Sequence, residues 1–427
     1  MPEISGLPVQ GQNYVVKNGD TLTSLAIQAY GRGILWSKIF HANSVITNPD
    51  FILPGWTLFI PPENEVKQAA VRSRENRYAG APKGSVILTA GEGRNRREVP
   101  TIQGRFSYAL DMFASLWNAE IPWRKGKDPA LDALLKRGSY AASELYLGGS
   151  LVGTGRLYAR ENTVTPTGTG KSLEFYSTTA DLVDSSLTPK WSEIAGSNLK
   201  QIAETVLVPL GFGVDFRGDP GKAFEQIGRN GVETVAKYFQ RLAAQRGFFV
   251  SCNEYSDVVF QRMVKEGSPV ARFEEGVTKN ALEYKAKFDD RSRFRTYLAY
   301  AQSGDNTAKA TQEATDKAVP GIRQLVFEAP ECDPDLIFDA AAWAMIKTML
   351  EAYSFSLPVV DWYSDTGELW KPNDVVTVKS SSLDIDDEKE FIIRQAEFAW
   401  GPSGRSATLS LVPPLWVEGN ELKGVWE

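Results

Sequence analysis

Apolar positions along this chain alternate between a period of two, which is typical of strands, and a period of about 3.6, which is typical of helices. Between Tyr14 and Pro61 a strand-like run is followed by two short helical patterns and a second strand-like run at 58–60. Asp20 or Thr21 can cap the first helix, because their side-chain oxygens accept hydrogen bonds from its first turn. The pattern predicts a small module with the order β-α-α-β.

The longer remainder of the chain predicts short strands that are interrupted by helices. Apolar residues at i, i+3, i+4 and i+7 predict helices near Leu199, Val232 and Phe338. The polar stretch 303–318 predicts a loop. Strands are predicted at 85–89, 143–147, 151–159, 171–177, 248–252, 258–261, within 282–302, and at 353–357, 375–378, 391–393 and 407–411. Short strands with interrupting helices predict an α+β fold with barrels that carry α/β insertions.

The composition is that of a globular protein with several domains. The 427 residues suffice for about three domains, and 42% apolar and 23% charged residues are ordinary values for soluble proteins. The net charge of −6 gives no general attraction to nucleic acid or anionic membrane. Cys252 and Cys332 lie far apart in sequence, so a disulfide scaffold is not expected.

No targeting or membrane segment is expected. Residues 1–6 lack basic residues and an apolar stretch, which argues against a Sec signal peptide. No apolar run approaches the ~20 residues that span a bilayer, so no membrane-spanning segment is predicted. Such a protein is expected to leave the cell only through lysis or as part of a phage particle.

The residues that enzymes commonly use do not form a recognisable catalytic set. His41 is the only histidine, which excludes schemes with two histidines and disfavours a Ser-His-Asp triad in the longer region. Two distant cysteines cannot complete a structural zinc site unaided. The stretch 167–172 resembles the end of a phosphate-binding loop, but a strand follows where a helix is required, so a hairpin turn is predicted. We expect no catalytic residue, no metal and no cofactor.

Two charged clusters are interpreted as surface features. The acidic run 384–390 is expected to lie in water as a loop between strands, with metal binding as the less favoured alternative. Asp289, Asp290, Arg291 and Arg293 are expected to form paired surface or interface charges.

The N-terminal module resembles a LysM domain. The likeness rests on residues 19–22, on the helix pair and on residues 52–56 before the last strand. In that family two loops flank a shallow groove for chains of N-acetylglucosamine. The resemblance implies a groove formed by Gly19, Asp20, Thr21, Leu22, Asn48, Pro49, Ile52 and Leu53. Alternatively, these residues only hold the fold, and the module clamps neighbouring proteins, as LysM-like modules in phage tails do.

The longer region resembles the baseplate hub proteins of contractile phage tails, of the Mu type and the late control D family. The family implies a homotrimer in which each subunit contributes two tail-tube-like β-barrels, so that three subunits imitate a sixfold ring. Leu369, Trp370 and Pro372 are candidates for an interface, with core packing as the alternative. The likeness covers about 85–415 and rests on residues 177–186 with the helix at 199–212, 233–235 with 242–248, and 367–376 with 408–414.

The resemblances divide the chain into domains. The predicted boundaries are a LysM module at 1–62, a linker at 63–84, part of the first barrel at 85–188, an α/β insertion at 189–265, a return to the barrel at 266–320, a helix plus the second barrel at 321–415, and a C-terminal tail at 416–427. The predicted fold class is therefore α+β, with a βααβ LysM module followed by two tail-tube-like β-barrels with α/β insertions.

The function that this resemblance implies is structural. The chain is expected in the virion, at the phage tail baseplate, after assembly in the host cytoplasm. As a trimeric hub it would join the hexameric tail tube to the trimeric spike. Its expected partners are the tail tube, spike and baseplate wedge proteins, with peptidoglycan as an open alternative and DNA only by passage through the hub channel. The alternative functions are a LysM-targeted cell-wall hydrolase and a plain glycan-binding protein.

Overall fold

Two compact units make up the chain. The computed structural model describes residues 7–30, 36–43, 45–46, 52–61, 77–166, 168–188, 196–224, 227, 232–263, 267–302, 308–329, 337–414, 416–418 and 421–423. The small unit comprises Met1–Arg77 and Thr205–Gly211, and the large unit comprises Tyr78–Glu204 and Phe212–Glu427.

The N-terminal module has the predicted order β-α-α-β. Strands β1 (Gln12–Val15) and β2 (Thr57–Ile60) pair antiparallel. Helices α1 (Leu22–Tyr30) and α2 (Trp36–Ala42) lie between them in the chain. The apolar face that the helical spacing predicted is buried against the strands in one cluster, which includes Tyr14, Val16, Leu22, Leu25, Ala26, Ile39, Leu58 and Ile60. The α+β fold class with an N-terminal βααβ module is thereby confirmed.

The other α-helices of the described residues have ten residues or fewer, apart from the last, which has 16. They are α3 (Pro129–Leu134), α4 (Ala180–Asp184), α5 (Leu199–Leu207), α6 (Val235–Ala244) and α7 (Ile337–Ala352). Thr234 caps α6, because its hydroxyl accepts a hydrogen bond from the backbone N–H of Lys237 at 3.3 Å. Asp128 caps α3 in the same way through Leu131, and Pro129 fits the first helical position, where no backbone donor is needed.

Most of the regular secondary structure described in the large unit is β-strand. They are β3 (Val86–Ala90), β4 (Arg97–Val99), β5 (Gln103–Ala109), β6 (Leu116–Ile121), β7 (Ala142–Leu147), β8 (Ser150–Thr165), β9 (Gly168–Ser177), β10 (Val214–Phe216), β11 (Phe249–Cys252), β12 (Val258–Gln261), β13 (Ala271–Glu274), β14 (Lys285–Phe288), β15 (Thr296–Gln302), β16 (Ala308–Thr315), β17 (Gln324–Glu328), β18 (Tyr353–Val359), β19 (Val375–Ser380), β20 (Ile385–Gly401), β21 (Gly404–Val412), β22 (Trp416–Glu418) and β23 (Glu421–Lys423).

One large sheet connects the early and late parts of this unit. Among the described strands, thirteen belong to it, and its main path runs β14-β18-β21-β20-β5-β6-β9-β8-β7-β3-β4, with β19 and β13 branching from β20. The early strands β3–β9 meet the late strands at a single antiparallel pair, β5 with β20.

The strand pairing within this sheet repeats. The early strands β5, β6, β7, β8 and β9 and the late strands β14, β18, β19, β20 and β21 follow each other in the same chain order. In each set the first strand pairs with the second, the second with the fifth, the fifth with the fourth and the fourth with the third, always antiparallel.

The repeat extends to individual residues. In the early set a row of paired residues crosses four strands, Phe106–Trp117–Phe175–Leu157, and in the late set the corresponding row is Ala286–Phe355–Leu411–Ile393. The pairing register shifts directly after Leu157 in β8 and directly after Ile393 in β20, eight residues before the last paired residue of each hairpin. Closure of either set into a barrel stays a prediction.

Both sets share one apolar core. Trp117 and Phe175 stack with ring centroids 5.8 Å apart, and Phe106 contacts Phe398 of the late set at 6.2 Å. Full burial of a side chain of this size stabilises a fold by about 1.5–3 kcal/mol. Because the cluster continues across the β5–β20 pair, the two sets are held together by their core as well as by backbone hydrogen bonds.

Two smaller sheets lie in the described part of the large unit. Strands β10, β12 and β11 form one, on which α6 packs through Phe239 and Phe260, with ring centroids 5.6 Å apart. The other has the order β17-β15-β16-β23-β22 and packs against α7. Its buried face includes Tyr297, Ala299 and Ala314.

Two predicted loops are strands in the structure. Within the polar stretch 303–318, Ala308–Thr315 forms β16, whose buried contribution includes the small residue Ala314, so its apolar signal is weak. The acidic run 384–390 lies mostly in β20, which begins at Ile385. Four of its carboxylates are exposed and that of Glu390 is half-buried, but the backbone pairs with β19, so polar character did not distinguish a solvent-facing strand from a loop.

Candidate functional site

The two loops that the LysM resemblance singled out lie at the same end of the small sheet. The N–H of Val16 donates to the carbonyl of Trp56 at 2.8 Å, and the N–H of Gly55 donates to the carbonyl of Val16 at 2.8 Å. These bonds hold the loop after β1 beside the loop before β2. Gly19 and Gly55 have φ values of +89° and +90°, which explains the glycine at each turn.

Asp20 has a structural task in the first loop. Its carboxylate accepts hydrogen bonds from the Tyr14 hydroxyl at 2.9 Å and from the Lys17 N–H at 2.8 Å. Burial together with the neighbouring Asp20 raises the pKa of Tyr14 to about 12. The first bond ties the turn to β1 and the second closes the turn itself, so one carboxylate oxygen is already used by the fold.

The other predicted groove residues divide into core and surface. Thr21 caps α1, since its hydroxyl accepts from the Ser24 N–H at 3.1 Å. Leu22 is buried and Ile52 packs against the same core. Gly19, Thr21 and Leu53 are exposed, whereas Asn48 and Pro49 lie outside the described residues. The exposed members could contact a ligand or a protein, and the glycan groove stays a prediction.

The stretch that resembles a phosphate-binding loop lies at a β-hairpin, with 168–172 forming the start of β9 and Thr167 outside the described residues. Thr165, the last residue of β8, pairs with Gly168, the first residue of β9. Lys171 is buried, and its ammonium lies 4.0 Å from the centroid of the Trp123 ring. Burial lowers the pKa of Lys171. The lysine therefore packs within the sheet instead of reaching a phosphate.

The charged cluster after β14 is only partly a surface feature. Asp289 and Arg291 form an exposed ion pair at 2.6 Å, and the hydrogen bonds from Arg291 hold the pKa of Asp289 well below its usual range. Arg293, by contrast, is buried with Asp316 at 2.7 Å, the two side chains being 5% and 4% exposed. Arg293 also contacts Asp290 at 2.8 Å. The expectation of surface or interface charges is thus wrong for Arg293, because β16 brings a buried carboxylate to it.

A cleft of about 960 Å³ lies between the α/β insertion and the large sheet. Its wall includes Cys252, whose thiol lies 3.1 Å from the Ser115 hydroxyl and 3.5 Å from the Ser177 hydroxyl. Asp374 also lines it, and burial raises the pKa of that carboxyl.

Of the three residues considered for an interface, Leu369 and Trp370 are buried in the core. Among the described residues no group of His, Cys, Asp and Glu side chains could hold a metal ion.

The β5–β20 pair is the clearest joint in the large unit. Gly104 lies opposite Trp400, and a Cβ at Gly104 would come within 2.4 Å of the Trp400 ring, so the close approach requires glycine. On the face away from the core, Arg105 pairs with Glu397 at 3.4 Å. Strands β5 and β6 are not among the strands predicted from the sequence, although the alternation at 116–121 is a signal for β6.

Several strand segments in the same sheet, β4 and β13 included, have an edge with no paired strand among the described residues, and two of them take the places in the repeat that correspond to the β5–β20 pair. One is β14, a terminal strand of the main path, where Phe288 is 49% exposed. The other is the second half of β8, beyond the residues that pair with β7, where Glu161–Val164 are exposed and Val164 is 78% exposed. Unpaired edges of this kind are templates for pairing with another chain.

Known proteins match both parts of the chain. Residues 14–61 match the LysM domain family, and residues 179–262 match the family described as baseplate hub protein gp44-like, second domain. Among the described residues, none of the helices has the length and apolar character that crossing a membrane demands. The resemblance to baseplate hub proteins with an added LysM domain is confirmed, and the class is a structural protein of the phage tail baseplate.

Individual relatives agree with this class. The baseplate hub protein gp44 of Escherichia phage Mu is 24% identical over 285 residues, which cover 63% of this chain and 74% of that protein. The 43 kDa tail protein of prophage MuSo2 from Shewanella oneidensis has a similar fold, with a TM-score of 0.64, 22% identity, and coverage of 77% of this chain and 98% of that one.

A different relative matches the N-terminal module. The potassium binding protein Kbp of Escherichia coli O6:H1 is 49% identical over 53 residues, which cover 12% of this chain and 36% of that protein. The relatives of the large unit are baseplate and tail proteins, which confirms that this chain is not an enzyme.

Proposed function

We propose that three copies of this chain form a baseplate hub that joins the hexameric tail tube to the trimeric spike. The observation that carries the proposal is the repeated strand pairing of the large sheet. Two equivalent strand sets in each of three chains present six similar units. A threefold particle of this kind can therefore match a sixfold tube on one side and a threefold spike on the other.

The arrangement of the two sets supports a ring. The late set is attached to the early set by an antiparallel pair at the edge, β20 with β5, and each set retains an edge that has no paired strand among the described residues. Each set is thus attached through one edge and keeps a different edge for the next neighbour, which is a head-to-tail contact. Head-to-tail contacts generate a closed ring when the rotation from one unit to the next closes after a whole turn.

The role of the LysM module is the second part of the proposal. We propose that it clamps neighbouring tail proteins, since Asp20, Thr21 and Leu22 are engaged in turn, cap and core. Peptidoglycan binding is the alternative, and Gly19, Thr21 and Leu53 are the exposed residues that it would use. The remaining proposed partners are the tail tube, spike and baseplate wedge proteins. DNA would meet the hub only by passing through its channel. The hub is proposed to assemble in the host cytoplasm.

The mass of the particle in solution tests the proposal. Light scattering on the purified chain, alone and with its spike partner, is expected to give three times 47.2 kDa for the hub component. A chain that stays monomeric in both samples would contradict the hub. Loss of turbidity of a peptidoglycan suspension would instead favour the hydrolase, and retention on peptidoglycan without turbidity loss would favour glycan binding.

A further inference from the structure

We infer that neighbouring copies of the chain join by antiparallel pairing of β14 of one copy with the second half of β8 of the next. This inference rests on the proposed trimer and specifies its joint. Its template lies inside the chain, where β5 of the early set pairs with β20 of the late set. In the repeat, β14 corresponds to β5 and β8 corresponds to β20.

The correspondence assigns a register. Ala286 corresponds to Phe106, since each begins the equivalent row of paired residues, and therefore Lys285 corresponds to Arg105 and Lys287 to Ser107. Leu157 corresponds to Ile393, because the pairing register shifts directly after each of them. Glu161 lies four residues after Leu157 and Glu397 lies four residues after Ile393, so the two glutamates are equivalent. Inside the chain Ser107 lies opposite Glu397. Between chains Lys287 then lies opposite Glu161.

Charge supports the assigned register. Across the internal joint Arg105 forms an ion pair with Glu397, and the equivalent residues of the proposed joint, Lys285 and Glu161, have the same pair of charges. Both are exposed in the isolated chain. Lys287, directly opposite Glu161, adds a second positive charge, so this edge of β14 complements the carboxylate on β8.

The proposed joint also covers exposed apolar surface. Val164, at 78% exposure, comes to lie opposite Tyr284, and Phe288, at 49% exposure, comes to lie opposite Arg160. The apolar contact between Phe106 and Phe398 has no counterpart, because Ala286 and Asn162 take those positions. The joint between chains therefore depends more on backbone hydrogen bonds and charge than the internal joint does, and its strength should fall with added salt.

Cysteine crosslinking in the full chain tests the joint. Directly opposed residues of an antiparallel pair have Cα atoms about 4.5–5.5 Å apart, which a disulfide can bridge. The double variant Lys287→Cys/Glu161→Cys, treated with oxidised glutathione, is expected to give a covalent trimer on a non-reducing gel. The single variants Lys287→Cys and Glu161→Cys are expected to give none.

The internal joint offers a matched control. Ser107→Cys/Glu397→Cys places cysteines at the equivalent opposed positions within one chain and should form an intrachain disulfide that mass spectrometry detects. If this control closes and the wild type has trimeric mass, but the Lys287/Glu161 pair forms no covalent oligomer, the joint is wrong while the trimer stands. If the wild type is monomeric alone and with its spike partner, the proposed function itself fails.

Charge exchange provides a second readout that needs no disulfide. Lys287→Glu or Glu161→Lys alone should weaken association at least about tenfold, because like charges then face each other. The combined variant should recover most of the loss, and Lys237→Glu on the exposed face of α6 should have no effect. Additive losses in the combined variant would overturn the assigned register.

Discussion

Gly104 and Gly170 lie in strands of the same sheet, and replacement by alanine should have opposite effects on stability. An added Cβ at Gly104 would come within 2.3 Å of the Asn118 carbonyl oxygen and within 2.4 Å of the Trp400 ring. Ordinary contacts of a Cβ lie between 3.4 and 4 Å. At Gly170 no heavy atom lies within 4 Å of the added Cβ. Neither glycine has a positive φ, so backbone strain does not enter the comparison.

The expected magnitudes follow from these contacts. The Asn118 carbonyl is backbone of β6, which pairs with β5, and Trp400 belongs to the core, so neither can move without disturbing the sheet. Overpacking of this kind typically costs about 1–3 kcal/mol. Gly170→Ala should instead raise the free energy of unfolding by about 0.4–1 kcal/mol, because alanine reduces the freedom of the unfolded chain.

Urea unfolding followed by tryptophan fluorescence measures both changes. The midpoint of the large-unit transition should fall for Gly104→Ala and stay level or rise for Gly170→Ala, with the slope unchanged in each. A midpoint for Gly104→Ala equal to or above that of Gly170→Ala would refute the claim that the β5–β20 joint is tightly packed around Trp400.

Further predictions concern a buried ion pair and a buried tyrosine. Asp316→Ala should destabilise the large unit by about 3–5 kcal/mol in thermal or urea unfolding, because Arg293 would keep a buried charge without its buried partner. Asp289→Ala, at the exposed pair, is the control and should shift the midpoint far less. The LysM module should be fully stabilised by the neutral Tyr14 phenol below about pH 10, the ordinary pKa of tyrosine, and should lose this stabilisation as the pH rises through about 12, the raised pKa in the fold. Asp20→Asn should reduce this loss, as thermal unfolding between pH 9 and 12 would show, and an unchanged profile would contradict the role given to Asp20.

Local elements could be predicted from the sequence because their signals are local. The βααβ order of the module, helix α6 and the β11–β12 hairpin each follow from periodicity and caps within a few residues. Strand β16 could not be predicted, since its one described buried side chain is that of an alanine and its other residues resemble a loop.

The joint between the strand sets could not be predicted for a different reason. Strand β5 pairs with residues of β20 that lie nearly three hundred positions later in the chain. Alternation shows that a strand has one buried face, but it does not show which strand lies beside it. In the LysM module the resemblance assigned Asp20 to a groove, but it gave no sign of the hydrogen bonds that the carboxylate accepts from Tyr14 and Lys17.

The two strand sets differ at one place with consequences for symmetry. In the early set β5 and β6 are joined by a short connection, whereas in the late set the sheet of β15–β17 and helix α7 intervene between β14 and β18. Six identical subunits would carry such an appendage at every position or at none. In the proposed trimer the doubled chain would carry it at alternate positions, so the ring would have three marked sectors. A threefold neighbour would then have one rotational setting on a surface that would otherwise repeat every sixty degrees.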